Sequence, residues 1–253
     1  MSAAYSHLAQ FYDFLMDEDY QAWTSYLLSL AAEVGCRPQR VLEVGCGTGN
    51  ITMGLAEHGL QVLGTDISAA MVSYAKQKAA EQGIKPEFLV QDMRKLDLPD
   101  TTWELAIAAC DAMNYLTTEE DFIQALRSIH GHLQDGALFL FDLNTEVKLR
   151  EVYGHNSYAD MYPDFAFFWD NSYDARAELC RMELTFFVPA SAGLYRRVDE
   201  RHTQKLWRPD KVEEFLDKTG FQLVGCYDFL TMDPPTKDSH RWQFAAIKKA
   251  LQE

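Results

Sequence analysis

Four aspartates in this chain each follow a short apolar run, and a glycine-rich turn follows another such run. The turn begins at Gly45, and the acids are Asp66, Asp92, Asp111 and Asp142. Carboxylates accept hydrogen bonds from hydroxyl and amino groups, and ligands of parallel sheets bind beyond the carboxyl ends of the strands. Because core packing does not require acids at these positions, the pattern predicts one polar ligand site along a sheet edge.

The glycine-rich turn is the most specific motif of the chain. Residues 41–50 read Val-Leu-Glu-Val-Gly-Cys-Gly-Thr-Gly-Asn, a buried strand followed by a sharp turn whose glycines let backbone approach a ligand. The dinucleotide fingerprint G-x-G-x-x-G needs its third glycine at position 50, where this chain has Asn50; Gly49 comes one residue early. A Walker loop is excluded because no Gly-Lys-Ser or Gly-Lys-Thr follows. A tight strand-to-helix connection without a ligand is the alternative interpretation.

Asp66 ends a predicted strand over residues 60–66 and lies seventeen positions after Gly49. An acid at the end of the second strand of such sheets accepts hydrogen bonds from ribose hydroxyls. The alternative is that Asp66 only begins the next helix, but Ser68 suits that N-cap position. Asp66 is therefore predicted to bind a ribose.

Helices and strands alternate through the first half of the chain. The helices are predicted over residues 51–58, 68–82 and 117–133. The strands are predicted over residues 60–66, 87–91, 105–110 and 137–142, the last preceded by Gly136. A Thr117–Glu120 capping box begins the third helix. This alternation implies an α/β fold, in which helices cover both faces of a doubly wound parallel sheet.

The middle of the second half has a different pattern. Residues 146–208 are rich in aromatic and β-branched side chains and predict an inserted antiparallel sheet, with strands over 165–173 and 178–188. A helix is predicted to begin at Pro209, followed by closing strands over 221–229 and 240–247. We therefore expect one core made of residues 1–145 and 209–253, in which residues 1–35 form a helical cap, and an inserted lid or acceptor-specificity subdomain over residues 146–208.

Composition narrows the function classes. The chain has 253 residues, 38 acids against 23 Lys and Arg, and a formal net charge of −15, which disfavours nucleic-acid substrates. No apolar run approaches the ~20 residues that span a bilayer, and the N-terminus lacks a signal-peptide pattern. The five cysteines form no C-x-x-C pair, which indicates free thiols in the cytoplasm and no metal site.

The run Glu-x-Gly-x-Gly-x-Gly, from Glu43 to Gly49, resembles the first motif of class I S-adenosyl-L-methionine (SAM)-dependent methyltransferases. Together with Phe11-Tyr12-Asp13 and residues 110–115 and 141–144, it looks like a bacterial small-molecule branch and is similar to sugar-amine and glycine-type N-methyltransferases. The resemblance covers nearly the whole chain. It implies a seven-stranded, mostly parallel, Rossmann-like sheet, with SAM as cofactor, S-adenosyl-L-homocysteine (SAH) as product and no metal.

The resemblance also implies which residues bind the cofactor. Asp92 would accept from the exocyclic amine of adenine, Met93 would offer its backbone amide, and a tyrosine near Tyr12 would face the methionine half. The full predicted set is Tyr12, Tyr20, Glu43, Gly45, Cys46, Gly47, Gly49, Asp66, Ile67, Met71, Asp92, Met93 and Cys110.

The activity implied is an in-line displacement that moves the methyl group to a nitrogen or oxygen nucleophile of a small molecule. Asp111, Asn114 and Tyr115 follow the fourth strand and are the predicted catalytic residues, although loop capping and packing would equally explain Asn114 and Tyr115. The insertion adds further candidates for the acceptor pocket, each more often structural in role: His155, Arg197 and His202.

Two departures from the family and several alternatives remain. Glu104 opens the fourth strand where the family usually has Asp, and no Asn/Asp-Pro-Pro-Tyr follows that strand, which argues against methylation of planar base or amide nitrogens. The alternatives are a non-catalytic SAM-binding sensor or partner protein, a tRNA or protein methyltransferase, and a transferase that modifies other groups of SAM. The insertion would act either as a lid or as a homodimer contact.

Overall fold

The computed structural model describes residues 9–16, 18–99 and 102–250. In these parts of the chain the six α-helices are α1 (Ala9–Leu15), α2 (Tyr20–Glu33), α3 (Asn50–Glu57), α4 (Ala69–Gln82), α5 (Glu119–His132) and α6 (Pro209–Lys218). The strands are β1 (Arg40–Val44), β2 (Gln61–Asp66), β3 (Glu87–Val90), β4 (Trp103–Ala108), β5 (Leu133–Asn144), β6 (Ser157–Met161), β7 (Ala166–Asp174), β8 (Leu179–Pro189), β9 (Tyr195–Lys205), β10 (Phe221–Asp228) and β11 (Arg241–Lys248).

Seven strands form the main sheet in the order β10-β11-β5-β4-β1-β2-β3. Strands β1 to β5 pair in parallel, and β11 runs antiparallel to both β5 and β10. The predicted seven-stranded, mostly parallel α/β sheet of the Rossmann-like type is thus confirmed. Because β4 and β2 flank β1 on opposite sides, the chain reverses its direction of winding beside β1, which is where doubly wound sheets bind ligands.

Both faces of the sheet are apolar, as helices on both sides require. Alternate residues of β5 point to opposite faces: Phe139 and Phe141 belong to a cluster with α5 and α6, whereas Leu138 and Leu140 pack with α2 and α3. All four side chains are at most 1% exposed. This two-sided core holds the carboxyl ends of the strands in a common plane and so fixes the edge at which the predicted site residues lie.

The remaining four strands form a separate antiparallel sheet in the order β6-β7-β8-β9. A π-helical segment, Val147–Tyr153, leads from β5 into this sheet. The inner face of the sheet carries buried apolar side chains such as Met182 and Phe186, and Phe11 of α1 stacks on Phe186 with ring centroids 5.5 Å apart. The inserted sheet predicted within residues 146–208 is therefore present, and it packs against the N-terminal helix.

Three predicted boundaries are wrong in detail. The N-cap of α5 is Thr118, whose hydroxyl accepts from the Asp121 amide at 3.1 Å, so the capping interaction lies one residue after the predicted Thr117. Strand β5 begins at Leu133 and contains Gly136, because a register shift lets Leu133 pair with Trp103 before the regular ladder resumes at Leu105. Strand β4 correspondingly covers Trp103–Ala108, two residues earlier than expected.

Gly49 is the glycine on which the turn after β1 depends most clearly. It precedes α3 with a φ of +80°, and a Cβ atom there would lie 2.8 Å from the Phe88 ring and 3.1 Å from the Ala75 Cβ. Gly59, after α3, has a nearly equal φ of +81°, but open space surrounds the place that its Cβ atom would take. Both glycines therefore have a left-handed backbone that would strain any other residue, but only Gly49 is closely packed.

We expect Gly49→Ala to lower the free energy of unfolding by about 2–4 kcal/mol, because left-handed strain and overpacking add. Gly59→Ala carries the strain alone and should lose about 1–2 kcal/mol. Urea unfolding of both variants and the wild type measures the difference. Equal losses would contradict the close packing of the turn against β3.

Candidate functional site

A large cavity of about 620 Å³ lies at the carboxyl ends of β1, β2, β3 and β4, within the size range of small-molecule sites. It is lined by Tyr12, Tyr20, Glu43, Gly45, Cys46, Gly47, Thr48, Asn50, Ile51, Asp66, Ile67, Ser68, Met71, Gln91, Asp92, Met93, Arg94, Ala109, Cys110, Ala112, Tyr115, Leu116, Thr117 and Asp121. All of the residues predicted to bind the cofactor line this cavity except Gly49, which lies behind the turn against Phe88.

Asp66 ties the glycine-rich turn to the second strand. Its Oδ2 accepts from the Gly47 amide at 2.9 Å, and its Oδ1 accepts from the Ser68 amide at 2.8 Å. Ser68 is indeed the N-cap of α4, since its hydroxyl accepts from the Met71 amide. Burial raises the pKa of Asp66, and the two amides oppose that shift. Each carboxylate oxygen retains lone-pair capacity, so Asp66 can also accept from a ligand hydroxyl.

Glu43 lies beneath the turn and is only 2% exposed. Its carboxyl group accepts a hydrogen bond from the Thr52 hydroxyl of α3. Burial raises the pKa of Glu43 to about 8, so this carboxyl group is mostly protonated at neutral pH. Its role in the site is to support the turn from within.

The far end of the large cavity has apolar walls and an acidic rim. Ile67 exposes 61% of its surface there, an unusual placement for a large aliphatic side chain unless a ligand covers it. Met93 and Leu116 line the same cavity. At the rim Asp92 accepts from the Arg94 guanidinium at 2.7 Å, and this hydrogen bond holds the pKa of Asp92 below its usual value. The same guanidinium reaches Asp121 at 2.8 Å.

These features fit SAM. The apolar walls suit an adenine ring, Asp66 suits a ribose, and the turn lets backbone approach without a Cβ atom at Gly47, where φ is +53° and the space around a Cβ is open. Asp92 is already paired with Arg94, so its predicted contact with the adenine amino group would use the lone pairs that remain. The acceptors Asp66 and Asp92 together with the apolar walls therefore match a nucleoside.

A small cavity of about 60 Å³ adjoins the large one. The two share Tyr12, Tyr20, Cys110 and Tyr115 as a common wall. The rest of the small cavity is lined by Met16, Glu18, Trp23, Asp111, Tyr153, Trp169, Met182, Leu184, His202, Gln204 and Arg241. Three parts of the chain thus build it: the N-terminal helices, the ends of the main sheet and the inner face of the inserted sheet.

Three titratable groups of the common wall, Tyr12, Tyr20 and Cys110, are neutral at pH 7. Burial raises the pKa of Tyr12 and of Tyr20 above the ordinary phenol value. Burial likewise raises the pKa of the Cys110 thiol well above its usual range, and the same holds for Cys46 in the large cavity. Neither thiol is therefore a thiolate nucleophile at neutral pH, and both contribute shape and packing.

Arg241 carries a buried positive charge at the back of the small cavity. Its guanidinium reaches Asp111 at 2.9 Å and pairs with Asp142. It also lies over the rings of Trp23 and Phe229, 5.1 and 5.2 Å from their centroids. Burial raises the pKa of Asp142 to about 6 although Arg241 opposes that shift, so both partners are charged at neutral pH and the charge of Arg241 is compensated.

The three predicted catalytic residues do not share one environment. Asp111 and Tyr115 line the small cavity, but both oxygens of Asp111 are engaged, one by Arg241 and the other by the Gln204 amide at 2.5 Å. Asn114 is fully buried and lines neither cavity. Its amide donates to the Lys205 carbonyl at 2.9 Å and accepts from the Asn144 amide at 3.0 Å. The Asn114 side chain joins β9 to β5, which favours the packing interpretation of this residue, and a catalytic role for Asn114 stays a prediction.

Strand β9 supplies polar groups that the sequence did not identify as a set. Glu200, His202 and Gln204 alternate along the strand and all face inward, each at most 5% exposed. His202 Nε2 lies 3.4 Å from Glu200 Oε2, and the His202 ring meets Tyr115 edge-on with centroids 6.0 Å apart. By contrast, the candidates His155 and Arg197 are exposed and line neither cavity. The period-two pattern of β9 was the signal that could have singled out His202.

Within residues 9–16, 18–99 and 102–250, no group of three or more His, Cys, Asp or Glu side chains is arranged to hold a metal ion. In the same part of the chain, no helix has the length and apolar character needed to cross a lipid bilayer.

Comparison with known proteins agrees with the geometry. A family model described as a methyltransferase domain matches residues 41–136. The methyltransferase-like protein YqeM of Bacillus subtilis is 35% identical over 96% of this chain and 97% of its own length. A SAM-dependent methyltransferase from Clostridium acetobutylicum superposes with a TM-score of 0.85 at 26% identity, covering 97% of this chain and 99% of that one.

More distant structures share the fold. CalS10 of Micromonospora echinaspora, an amino pentose methyltransferase solved with SAM, superposes with a TM-score of 0.71 at 18% identity, covering 92% of this chain and 93% of its own. At this identity the likeness concerns the scaffold alone.

Because Glu43 is buried, we expect its contribution to the free energy of unfolding to fall as the pH rises. Its folded pKa of about 8 exceeds the ordinary 4.5, so between these values the folded state holds a proton that the unfolded state has lost. Its contribution is complete below pH 4.5 and disappears as the pH rises through about 8. Glu43→Gln should therefore flatten the decline of unfolding free energy over this range.

Urea unfolding at a series of pH values measures this effect, with the exposed Glu57→Gln as control. Parallel curves for Glu43→Gln and the wild type would contradict the raised pKa.

Proposed function

The chain belongs to the class I SAM-dependent methyltransferases, and from this premise we propose that it methylates an amine nitrogen of a small molecule held in the small cavity. The observation that carries this proposal is that the two cavities share Tyr12, Tyr20, Cys110 and Tyr115 in their lining and therefore adjoin. A cofactor in the large cavity and an acceptor in the small one would meet where the two cavities join.

SAM is the cofactor of this enzyme, and when bound it supplies an activated methyl group. In our proposal Asp66 binds its ribose, the apolar walls at Ile67 and Met93 enclose its adenine, and the turn from Gly45 to Gly47 lies along its methionine half. The protein then contributes mainly alignment and exclusion of water, which together account for a large share of such rate enhancements.

The charges around the small cavity favour a cationic acceptor. Glu18 and Asp111 line it together with Arg241, whose charge is already balanced by Asp111 and Asp142. The local excess is therefore negative, which attracts a protonated amine. Aromatic rings add to this preference because their faces attract cations; the rings lining the cavity are Tyr12, Tyr20, Trp23, Tyr115, Tyr153 and Trp169.

A protonated amine must lose a proton before it can attack the methyl group. We propose that His202 accepts it, because the imidazole lies in the cavity wall with a carboxylate, Glu200, 3.4 Å from its Nε2 to stabilise the imidazolium. Asp111 is paired with Arg241 and accepts from the Gln204 amide, and it places a carboxylate near the amine. Tyr115, next to His202, shapes the wall.

The size of the small cavity supports a small-molecule acceptor. About 60 Å³ admits a short functional group, and a net charge of −15 repels the phosphates of a tRNA. The same fold in CalS10 serves an amino pentose, so the scaffold is compatible with amine chemistry.

All five cysteines are free, which supports the proposed cytoplasmic location. A homodimer contact through the inserted sheet stays a prediction.

Cofactor binding is tested first. We expect Asp66→Asn to raise the calorimetric Kd for SAH at least about tenfold, because a charged acceptor for the ribose is lost. The exposed Glu57→Gln should bind like the wild type. If wild-type protein bound neither SAM nor SAH, the methyltransferase assignment of this site would fail. Unchanged binding by Asp66→Asn would remove Asp66 from the site.

The acceptor class is tested with SAM and a panel of short primary and secondary amines, amino sugars included, each paired with the alcohol that replaces its amino group. We expect SAH formation above background with amines and none with the matched alcohols. Turnover of the alcohols alone would overturn the amine proposal. Tight SAM binding without turnover in either series would favour a non-catalytic SAM-binding protein.

With an amine from that panel, we expect His202→Asn to lower turnover about a hundredfold, because a neutral amide cannot accept the proton. His155→Asn changes an exposed histidine outside both cavities and is the matched control. Turnover by His202→Asn at the rate of this control would exclude His202 as the proton acceptor.

A further inference from the structure

Asp13 joins the N-terminal helix to the cofactor turn through several polar contacts. Its Oδ1 accepts from the Thr48 hydroxyl at 2.5 Å and from the Asn50 side-chain amide at 2.9 Å. Its Oδ2 pairs with Lys78 Nζ of α4 at 2.5 Å. Lys78 also donates to Asn50 Oδ1 at 2.7 Å. These four residues, Asp13, Thr48, Asn50 and Lys78, form a closed set that we call the clamp.

The clamp is sheltered enough to be strong. The side chains of Lys78 and Asp13 are 14% and 30% exposed, so solvent screens their attraction only in part. Burial lowers the pKa of Lys78 while Asp13 counteracts that shift, which shows that the ammonium depends on its partner. Truncating one member of such a charge pair leaves the other poorly solvated. Where the pair holds two parts together, the loss is seen mainly as their faster separation.

Helix α1 depends on such contacts for its position. It has only seven residues, Ala9–Leu15, and a helix this short is not stable by itself in water. The clamp fastens one side of α1 to the turn and to α4. On the other side Phe11 packs on Phe165 of the inserted sheet, with ring centroids 4.4 Å apart.

The same helix carries Tyr12, which lines both cavities. Whatever fixes α1 therefore fixes part of the wall between them. Without α1 in this position, both cavities would lose Tyr12 from their lining. The two Asp13 partners Thr48 and Asn50 lie in the lining of the large cavity, so a bound cofactor and the clamp stabilise the same segment.

We propose that Asp13 is a positioning residue: through the clamp it holds α1, and with it Tyr12, against the cofactor turn, and thereby sets how long SAM and SAH stay bound. The inference rests on the proposed function.

The test uses SAH alone and needs no acceptor. Dissociation of SAH from the full-length protein is followed by stopped-flow tryptophan fluorescence, since Trp23 and Trp169 line the adjoining cavity. We expect Asp13→Asn and Lys78→Met each to raise the dissociation rate constant at least about tenfold. The double variant should add little to either, because both changes break one clamp.

A matched control exists on the opposite part of the sheet. Lys249 and Asp217 form an ion pair of the same 2.5 Å length, and neither residue lines either cavity. Asp217→Asn and Lys249→Met should leave SAH dissociation unchanged. Added salt should speed release from the wild type and have little effect on Asp13→Asn, since the attraction being screened is already gone.

A second readout separates positioning from general destabilisation. Thermal unfolding without ligand reports how much stability each variant loses, and hydrogen exchange of residues 9–16 should slow on SAH binding in the wild type but not in Asp13→Asn. If Asp13→Asn fails to fold, Lys78→Met carries the test.

Wild-type protein that binds no SAH would defeat the proposed function itself. SAH release at the control rate in both clamp variants would overturn the clamp while leaving the methyltransferase assignment intact.

Discussion

The buried charge of Arg241 is the constraint on which the acceptor side of this enzyme depends. A guanidinium removed from water must be compensated, and breaking one of its pairs typically costs about 3–5 kcal/mol. Here Asp111 and Asp142 provide the compensation, and Trp23 covers the group from the N-terminal side. Because Asp111 also binds Gln204 of the inserted sheet, one charge cluster brings together the cap, the main sheet and the insertion.

The cofactor side depends on a different kind of interaction, namely close backbone packing without side chains. Gly49 brings the turn against Phe88, and Asp66 holds the Gly47 amide. The neutral, buried Glu43 supports this turn from below. Helix α1 lies between the glycine packing on the cofactor side and the polar cluster on the acceptor side, and side-chain contacts fasten this short helix to the cofactor turn and to the inserted sheet.

Much of this arrangement could be predicted from the sequence, and the part that could not has a common cause. The alternation of helices and strands and the acid at the end of β2 followed from local apolar patterns and from the geometry of parallel sheets. The contacts of Asn114 did not: its neighbours in sequence, Asp111 and Tyr115, line a cavity, whereas its own partners are Lys205 and Asn144. No local pattern reveals contacts across so many residues.

By itself the sequence determined the fold class, the cofactor turn and the edge of the sheet where ligands bind, because each depends on residues close together along the chain. Only the tertiary structure decided which side chains form the acceptor cavity. Arg241, His202 and Tyr12 come from three distant segments, and their proximity results from the pairing of β11 with β5 and from packing of the inserted sheet on α1. Charge compensation and burial act through space, so they appear only when the chain is folded.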